Sequence, residues 1–317
     1  MKQTSIINIA LYAILMGVFF LPFNSWEGLP FLGEFYRDSC FLFFIAASFF
    51  ALLKRKIKIP IKNIVFQFLI LLIAWCFIAT LLNSMTVAEY FFKQTTGLER
   101  FINQYGALLI CSIILPITFF NIFYLADLNR LLYTIRKVIL ASFIIVLIYA
   151  FFEILIVKFG MQDLKIKVLN LFDYFPFTEA KTDSLLNRIS SVTFEPPALG
   201  TYLLSIAGWM FSYIITSKSS WRFFPSIAVI LLAFVSGSRA AFFIIIIQSL
   251  AFLYILLKDL KHSKALLNIT VALTLIASCF SLAFSNQIYE YARNEIASFK
   301  LDDSDHSRSN RSRFGIQ

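Results

Sequence analysis

Long apolar runs separated by short polar segments make up the sequence, and most charged residues fall between the runs. A helix that crosses the hydrocarbon core of a bilayer needs about 20 predominantly apolar residues. Runs near this length recur along the chain, so the pattern predicts an all-α, polytopic helical bundle that forms one integral-membrane domain over 1–317. We predict about nine transmembrane helices, at 6–23, 38–53, 63–82, 106–125, 138–157, 198–216, 223–236, 240–257 and 265–285.

The composition supports this class and excludes a soluble domain with a single anchor. Hydrophobic residues make up 59% of the chain, charged residues 15%, and the mean hydropathy is +0.79. No small-residue cleavage site follows the first apolar run, so we expect an uncleaved first helix rather than a removed signal peptide. The four cysteines all fall within predicted spans and lack metal-ligand spacing, which indicates apolar packing.

The distribution of basic residues predicts the orientation of the spans. With a cytoplasmic N-terminus, the cytoplasmic segments carry 14 Lys and Arg residues, and the short loops on the other side carry 4. Short loops rich in Lys and Arg stay on the cytoplasmic side. The net charge of +10 is therefore a topology signal and requires no nucleic-acid partner. In this orientation the loop 158–197 and the C-terminal tail 286–317 lie outside the cytoplasm.

Two of the predicted outside segments have amphipathic sequence. In 158–197, apolar residues recur at helical spacing between 164 and 172, and in 83–105 aromatic residues are interspersed with charged ones. Amphipathic segments of this kind lie on a membrane surface as interfacial anchors. The alternative is that the two segments form the walls of a cleft.

A single charged residue, Arg239, lies in the middle of the apolar run 223–257. One helix of that length would be about 50 Å long, whereas the hydrocarbon core of a bilayer is about 30 Å thick. The run therefore predicts two short spans folded back at Ser236-Gly237-Ser238-Arg239, with the arginine at an outside turn. There the guanidinium either snorkels into the lipid headgroups or binds phosphate through paired hydrogen bonds.

Charged groups also stand at the end of the long loop and in the tail. The stretch 188–197 begins with Arg188 and ends in Glu195-Pro-Pro, an ending that an ordinary helix start would also explain. The tail places His306, Arg308 and Arg311 in a stretch whose composition is also typical of a disordered terminus.

Motifs of soluble enzymes are missing from the sequence. It contains no Walker loop, dinucleotide fingerprint or GxSxG motif, and it has only two histidines. We therefore expect no cofactor, and no metal site among the candidate residues.

The charged motifs resemble those of the bacterial O-antigen polymerases, the Wzy-type oligosaccharide repeat-unit polymerases, which are related to the O-antigen ligases. Members of that family carry an arginine before a helix-starting Glu-Pro or Asn-Pro element, a Ser-Arg element at a later outside turn, and an arginine in a Ser/Arg-rich outside loop. The family usually continues from that loop into a Gly-rich element and several more spans, whereas this sequence ends at Gln317. The matching positions are Arg188, Glu195, Pro196, Ser238, Arg239 and Arg311.

The resemblance implies a glycosyltransferase-type polymerase of lipopolysaccharide biosynthesis, spanning the bacterial inner (cytoplasmic) membrane many times. Its substrate would be an undecaprenyl-pyrophosphate-linked oligosaccharide at the periplasmic face, and its partners the lipid bilayer and, as a candidate, a chain-length regulator protein. Substrate pyrophosphate and glycan would be bound by arginines, and a base would deprotonate the acceptor hydroxyl. The implied site consists of Arg188, Arg239, Arg308 and Arg311 for binding, with Glu195 or His306 as the base.

Three other functions stay open on the sequence alone: a ligase, a flippase or transporter, and a non-catalytic membrane partner. An O-antigen ligase uses the same carrier but transfers the glycan to a lipid A core. A flippase or transporter of lipid-linked oligosaccharides requires ionisable residues deep within its spans. Apart from Asp38 at the first residue of the second span, Glu153 is the only acid within a predicted span, and it lies near the outer end.

Overall fold

The structure, a computed structural model, describes most of the first four-fifths of the chain. The tail that carries His306, Arg308 and Arg311 lies outside the described residues, as does the predicted span 265–285. The described ranges are 3–29, 35–53, 57–89, 91–92, 95–124, 126–157, 159–161, 163–165, 167, 172, 174–179 and 188–258.

Across these residues the fold is helical, apart from one antiparallel pair of two-residue strands. The strands β1 (Phe91–Phe92) and β2 (Thr95–Thr96) pair Phe91 with Thr96 and Phe92 with Thr95. The helices are α1 (Gln3–Phe19), α2 (Cys40–Leu52), α3 (Ile64–Leu82), α4 (Ser84–Glu89), α5 (Gly97–Leu109), α6 (Leu115–Phe123), α7 (Leu128–Val157), α8 (Pro196–Thr216), α9 (Phe224–Val235) and α10 (Arg239–Lys258). A π-helical turn (Ile110–Ile114) joins α5 to α6, and a 3₁₀ turn (Ser220–Phe223) precedes α9.

The predicted all-α class is confirmed, together with apolar helices compatible with a membrane protein. Four helical segments are long and apolar enough to cross a membrane, namely Ile64–Leu82, Gly97–Phe123, Leu128–Val157 and Pro196–Thr216. Four shorter apolar helices are Ile7–Phe19, Cys40–Leu52, Trp221–Val235 and Ala240–Leu256. Each of the eight overlaps a predicted span, although several bounds differ. The number of nine spans and the cytoplasmic N-terminus remain predictions.

Local sequence explains where several helices begin. The side chain of Asn63 accepts a hydrogen bond from the backbone N–H of Val65 at the start of α3, and Thr96 does the same for Glu99 at the start of α5. Such caps satisfy N–H groups that have no partner within the helix. Helices α8 and α9 instead have proline in their first turn, where its missing N–H costs nothing.

The principal core packs α7, α8 and α9 together with the end of α1. Its fully buried side chains include Phe143 and Val146 of α7, Leu203 and Met210 of α8, and Val229 of α9. A second apolar cluster joins α1, α2 and α6, where the hydroxyl of Thr118 also donates to that of Ser48 at 3.0 Å. These two clusters hold the helices against one another.

Helix α3 has a largely exposed apolar surface. Large apolar side chains along it are mostly exposed, among them Phe68 (65%), Leu71 (63%) and Trp75 (65%). A contiguous apolar surface of this kind marks contact with a membrane or with a partner. The chain divides into two compact units, 1–252 and 253–317, and of the second only the last residues of α10 belong to the described part.

Candidate functional site

Helices α7 and α8 run antiparallel and so define two ends of the bundle. Near the start of α7, the guanidinium of Arg136 lies 4.4 Å from the ring centre of Tyr213, close to the end of α8. Near the end of α7, Glu153 contacts Ser190 and Ser191, just before α8 begins. Arg136 and Glu153 are therefore about 26 Å apart along one helix. The sequence-predicted residues Arg188 and Glu195 belong to the Glu153 end.

At the Glu153 end, several loops meet in what we call the loop cluster, comprising residues 20–29, 35–39, 174–179, 188–195 and 236–238. Hydrogen bonds join loops that are far apart in sequence: the backbone N–H of Glu27 donates to the Glu179 carboxylate, and that of Glu179 donates to the Ser25 hydroxyl, each at 2.9 Å. Aromatic rings pack beneath them, with Phe23 and Phe175 stacked at a centroid distance of 4.6 Å.

Asn24 connects the first loop to the segment before α8. Its side-chain oxygen accepts from the backbone N–H of Phe194 at 3.0 Å, and its amide nitrogen donates to Asp38 at 3.3 Å. The guanidinium of Arg37 lies over the Phe194 ring, 5.4 Å from its centre.

Glu195 occupies the N-cap position of α8. Its backbone oxygen accepts from the N–H groups of Ala198 and Leu199, and its side chain makes no capping hydrogen bond. The helix-start interpretation of the Glu-Pro-Pro sequence is therefore correct for the backbone. The carboxylate is exposed at the loop cluster and is free of a capping role, so a chemical role for it stays a prediction.

The predicted reversal in the run 223–257 is present. Helix α9 ends at Val235, Gly237 has a positive φ of 70°, and α10 begins at Arg239. The side chain of Ser236 is fully buried and donates to the carbonyl of Ala233 at 2.8 Å, which ties the turn to the end of α9. The sequence predicts Arg239 in the turn itself, and the structure makes it the first residue of α10, next to that turn.

Arg188 lies against this turn. A Cβ placed on Gly237 would be 3.2 Å from Cγ and 3.6 Å from Cδ and Nε of Arg188, so the arginine side chain runs directly over the glycine. The side chain of Arg188 is half-buried. Close packing also joins α8 to the start of α10, because a Cβ on Gly200 would lie 2.7 Å from the Ser238 hydroxyl oxygen. The structure thus brings the 188–197 stretch and the Ser-Gly-Ser-Arg turn together.

Glu153 is a site-adjacent residue whose contacts the sequence analysis did not predict. The residue is 2% exposed, and its carboxylate accepts from the backbone N–H of Ser190 at 3.0 Å, from the Ser190 hydroxyl at 3.2 Å, and from the backbone N–H of Ser191 at 2.6 Å. The available signal was its position as a lone acid in an apolar run, since such residues are seldom without a function. The identity of its partners was not readable, because they lie 37 and 38 positions away.

The amphipathic segment 83–105 contributes to a separate cavity of about 410 Å³ between the end of α3, α4 and the start of α5. The walls combine hydroxyl, amide and guanidinium groups with two apolar side chains. None of the lining residues belongs to the loop cluster. They are Thr80, Asn83, Thr86, Val87, Gly97, Arg100, Phe101 and Gln104.

Comparison with known proteins returns no family model, no curated protein and no solved structure that matches this chain. Within the described part of the chain, no group of three or more His, Cys, Asp and Glu side chains is placed to hold a metal ion. The site is therefore defined by its own geometry: an arginine laid over a glycine turn, an exposed carboxylate at a helix start, and a buried carboxylate beneath the loop between them.

Proposed function

We propose that the protein polymerises undecaprenyl-pyrophosphate-linked oligosaccharide repeat units at the periplasmic face of the bacterial inner membrane. One observation carries the proposal: Arg188 packs on the turn from which α10 begins at Arg239, although the two arginines are about 50 positions apart in sequence. Two arginine positions at one end of an apolar helical bundle suit a membrane-bound substrate with an anionic headgroup, because guanidinium binds phosphate through paired hydrogen bonds.

The proposed reaction transfers the growing glycan from its carrier to a new lipid-linked unit. A hydroxyl oxygen of the acceptor attacks the anomeric carbon of the donor glycan, and the bond from that carbon to the pyrophosphate oxygen breaks. The pyrophosphate leaves with the electron pair, and Arg188 and Arg239 stabilise its charge. Glu195 or His306 accepts the proton of the attacking hydroxyl. Arg308 and Arg311 are further pyrophosphate-binding candidates in the tail.

The rival functions differ in what they require of the structure. A ligase would use the same arginines and differ only in its acceptor. A transporter would need an ionisable group available to a path through the membrane. Glu153, near the outer end of a predicted span, accepts hydrogen bonds from three donor groups of Ser190 and Ser191, an arrangement that favours a structural task over transport.

The test is surface-glycan analysis of a deletion strain complemented with variants of this chain. We expect the deletion to leave single capped repeat units, Arg239→Ala to restore no polymer, and Arg239→Lys to restore little, because an ammonium group cannot make the paired contact. Arg130→Ala is the matched control, since Arg130 is exposed at the start of α7, and it should restore the full polymer.

Three results would contradict the proposal. Loss of all glycan transfer in the deletion strain would indicate a ligase. Full polymer with Arg239→Ala, at normal protein level in the membrane, would make Arg239 a turn residue at the interface. Full polymer with Arg239→Lys would reduce its role to that of a positive charge.

A further inference from the structure

A buried carboxylate holds the segment that follows Arg188. Glu153, in α7, accepts hydrogen bonds from two consecutive residues, Ser190 and Ser191, through both of its oxygens. Two successive backbone N–H groups can point at one carboxylate only if the chain bends locally. Ser191 has the required bend, with a φ of 53° in the left-handed region that residues other than glycine rarely adopt.

Further contacts stabilise this bend. The Ser191 hydroxyl donates to the carbonyl of Val146 at 2.8 Å. Val146 lies in α7, seven positions before Glu153. The Thr193 hydroxyl donates to the carbonyl of Ser190 at 2.7 Å. Ile189 and Val192, on either side of the two serines, are fully buried in the principal core. The segment is therefore anchored to α7 by polar and apolar contacts together.

The anchor determines where Arg188 lies. Arg188 immediately precedes the buried Ile189, and its side chain extends over Gly237 at the turn between α9 and α10. We infer that Glu153 is a positioning residue for Arg188: its carboxylate fixes the Ser190–Ser191 bend and thereby directs the arginine onto the turn that leads to Arg239. The inference deepens the proposed function, because it assigns a support to one of the proposed pyrophosphate-binding arginines.

A carboxylate suits this task better than an amide. All the groups facing Glu153 from Ser190 and Ser191 are donors, and a carboxylate is acceptor-only with two oxygens. Glutamine has the same shape but presents an NH₂ group in place of one oxygen, so one buried N–H would face another donor. A buried donor left without an acceptor loses its hydrogen bonds to water and gains none in return, which is unfavourable. Glu153→Gln should therefore release the bend, while Glu153→Asp keeps both acceptor oxygens on a shorter side chain.

The position of Arg188 can be measured without any enzymatic activity. In the double variant Arg188→Cys, Gly237→Cys, the new sulfur at 188 takes the place of Cγ. That position is 3.2 Å from a Cβ at 237, so a disulfide can form when the full chain is tested in membranes. The native cysteines are replaced first. We expect Glu153→Gln to lower the rate of disulfide formation about tenfold, the equivalent of about 1.4 kcal/mol, and Glu153→Asp to lower it less.

A second cysteine pair controls for the fold. The Ser48→Cys, Thr118→Cys pair replaces two hydroxyl oxygens that are 3.0 Å apart between α2 and α6, and its disulfide should form equally well with or without Glu153→Gln. If Glu153→Gln does not accumulate in the membrane, the comparison is made with Glu153→Asp. An unchanged 188–237 disulfide in the substituted protein would overturn the positioning role.

The glycan phenotype separates this inference from the proposed function. In the complemented deletion strain, with Arg188 and Gly237 intact, Glu153→Gln should shorten or abolish the polymer, and Glu153→Asp should restore part of it. If the disulfide rate falls but the polymer is unchanged, Glu153 still positions Arg188, and the role of Arg188 in polymerisation is wrong. If both are unchanged, the positioning role is wrong and the proposed function stands.

Discussion

Two features of Gly237 favour glycine at this position. Its φ of 70° lies in the left-handed region, and a Cβ there would be 3.2 Å from Cγ of Arg188, closer than an ordinary van der Waals contact. It follows a buried Ser236 at the end of α9, the position at which helices commonly end in a left-handed glycine. The residue therefore both terminates a helix and leaves room for an arginine.

We predict that Gly237→Ala displaces Arg188, whereas Gly160→Ala does not. Gly160 has nearly the same φ, 67°, but a Cβ there would meet nothing within 4 Å. Both substitutions carry the left-handed strain of about 1–2 kcal/mol, and only Gly237→Ala also forces the arginine to move. Surface-glycan analysis should show a shortened or absent polymer for Gly237→Ala and a polymer near normal for Gly160→Ala, at equal protein levels.

Equal polymer in the two glycine variants would mean that the contact between Arg188 and Gly237 is of no consequence for function. Equal loss in both would point to backbone strain alone.

At the residue scale the sequence singled out the charged candidate residues but not their neighbours in the fold. Arg188, Glu195 and Arg239 were selectable because each is a charged residue at the border of an apolar run. The packing of Arg188 on Gly237 was not predictable, because it depends on how α7, α8 and α9 meet and not on local spacing. Glu153 was visible as a lone acid, but its two serine partners could be found only in three dimensions.

At the scale of elements, small residues let α8 approach the start of α10. Gly200 lies in the first two turns of α8, and a Cβ there would be 2.7 Å from the Ser238 oxygen and 2.9 Å from the Cβ of Ala241. Close approach of helices in membranes depends on such small residues. The Glu-Pro-Pro element and the Ser-Gly-Ser-Arg element are thus held together by packing as well as through Arg188.

We predict that Gly200→Ala and Gly208→Ala, on the same helix, have opposite effects on stability. At Gly208 a Cβ would meet nothing within 4 Å, so alanine should stabilise α8 by about 0.5–1 kcal/mol through helix propensity. At Gly200 the added methyl group must push α10 away, and overpacking of this kind lowers the stability of the fold by about 1–3 kcal/mol. Thermal unfolding of the detergent-purified protein, compared with wild type, measures both changes.

A Gly200→Ala protein as stable as Gly208→Ala would show that α8 and α10 do not pack as closely as described. Retained stability together with lost polymer would instead locate the effect of Gly200 at the site.

Helix bounds were less predictable than helix positions. The predicted spans 106–125 and 138–157 begin later than the helical segments Gly97–Phe123 and Leu128–Val157 that they overlap. Hydropathy marks only the apolar part, whereas the backbone stays helical through polar first turns such as the one that Thr96 caps at Glu99. The reversal at Ser236–Arg239 was predictable because the apolar run is too long for one crossing and contains a glycine at its centre.

At the scale of the whole molecule, the two ends of the helical bundle carry different sets of charged residues. The end that carries Arg136 also has Lys58, whose backbone exchanges hydrogen bonds with Asn121 near the end of α6, both at 2.8 Å. The opposite end carries Arg188 and the exposed Glu195. Because basic loops mark the cytoplasmic side, the first end is the predicted cytoplasmic end and the loop cluster the predicted periplasmic end.

We predict that reporter fusions after Lys62 and Lys137 report a cytoplasmic location and that a fusion near Thr182 reports the periplasm. The predicted cytoplasmic segments carry 14 basic residues, and the short loops on the other side carry 4. In addition, Arg136 and Arg188 lie at opposite ends of the α7–α8 pair. Alkaline phosphatase, active only outside the cytoplasm, and a fluorescent protein, active only inside, give complementary readings.

A cytoplasmic signal near Thr182 would place the loop cluster on the wrong side for a periplasmic carrier, because Arg188, which belongs to the cluster, follows that position by only six residues. In that case the arginines would face nucleotide-sugar chemistry in the cytoplasm, and polymerisation on a periplasmic lipid pyrophosphate would be wrong even if every contact described for Arg188 and Glu153 were right.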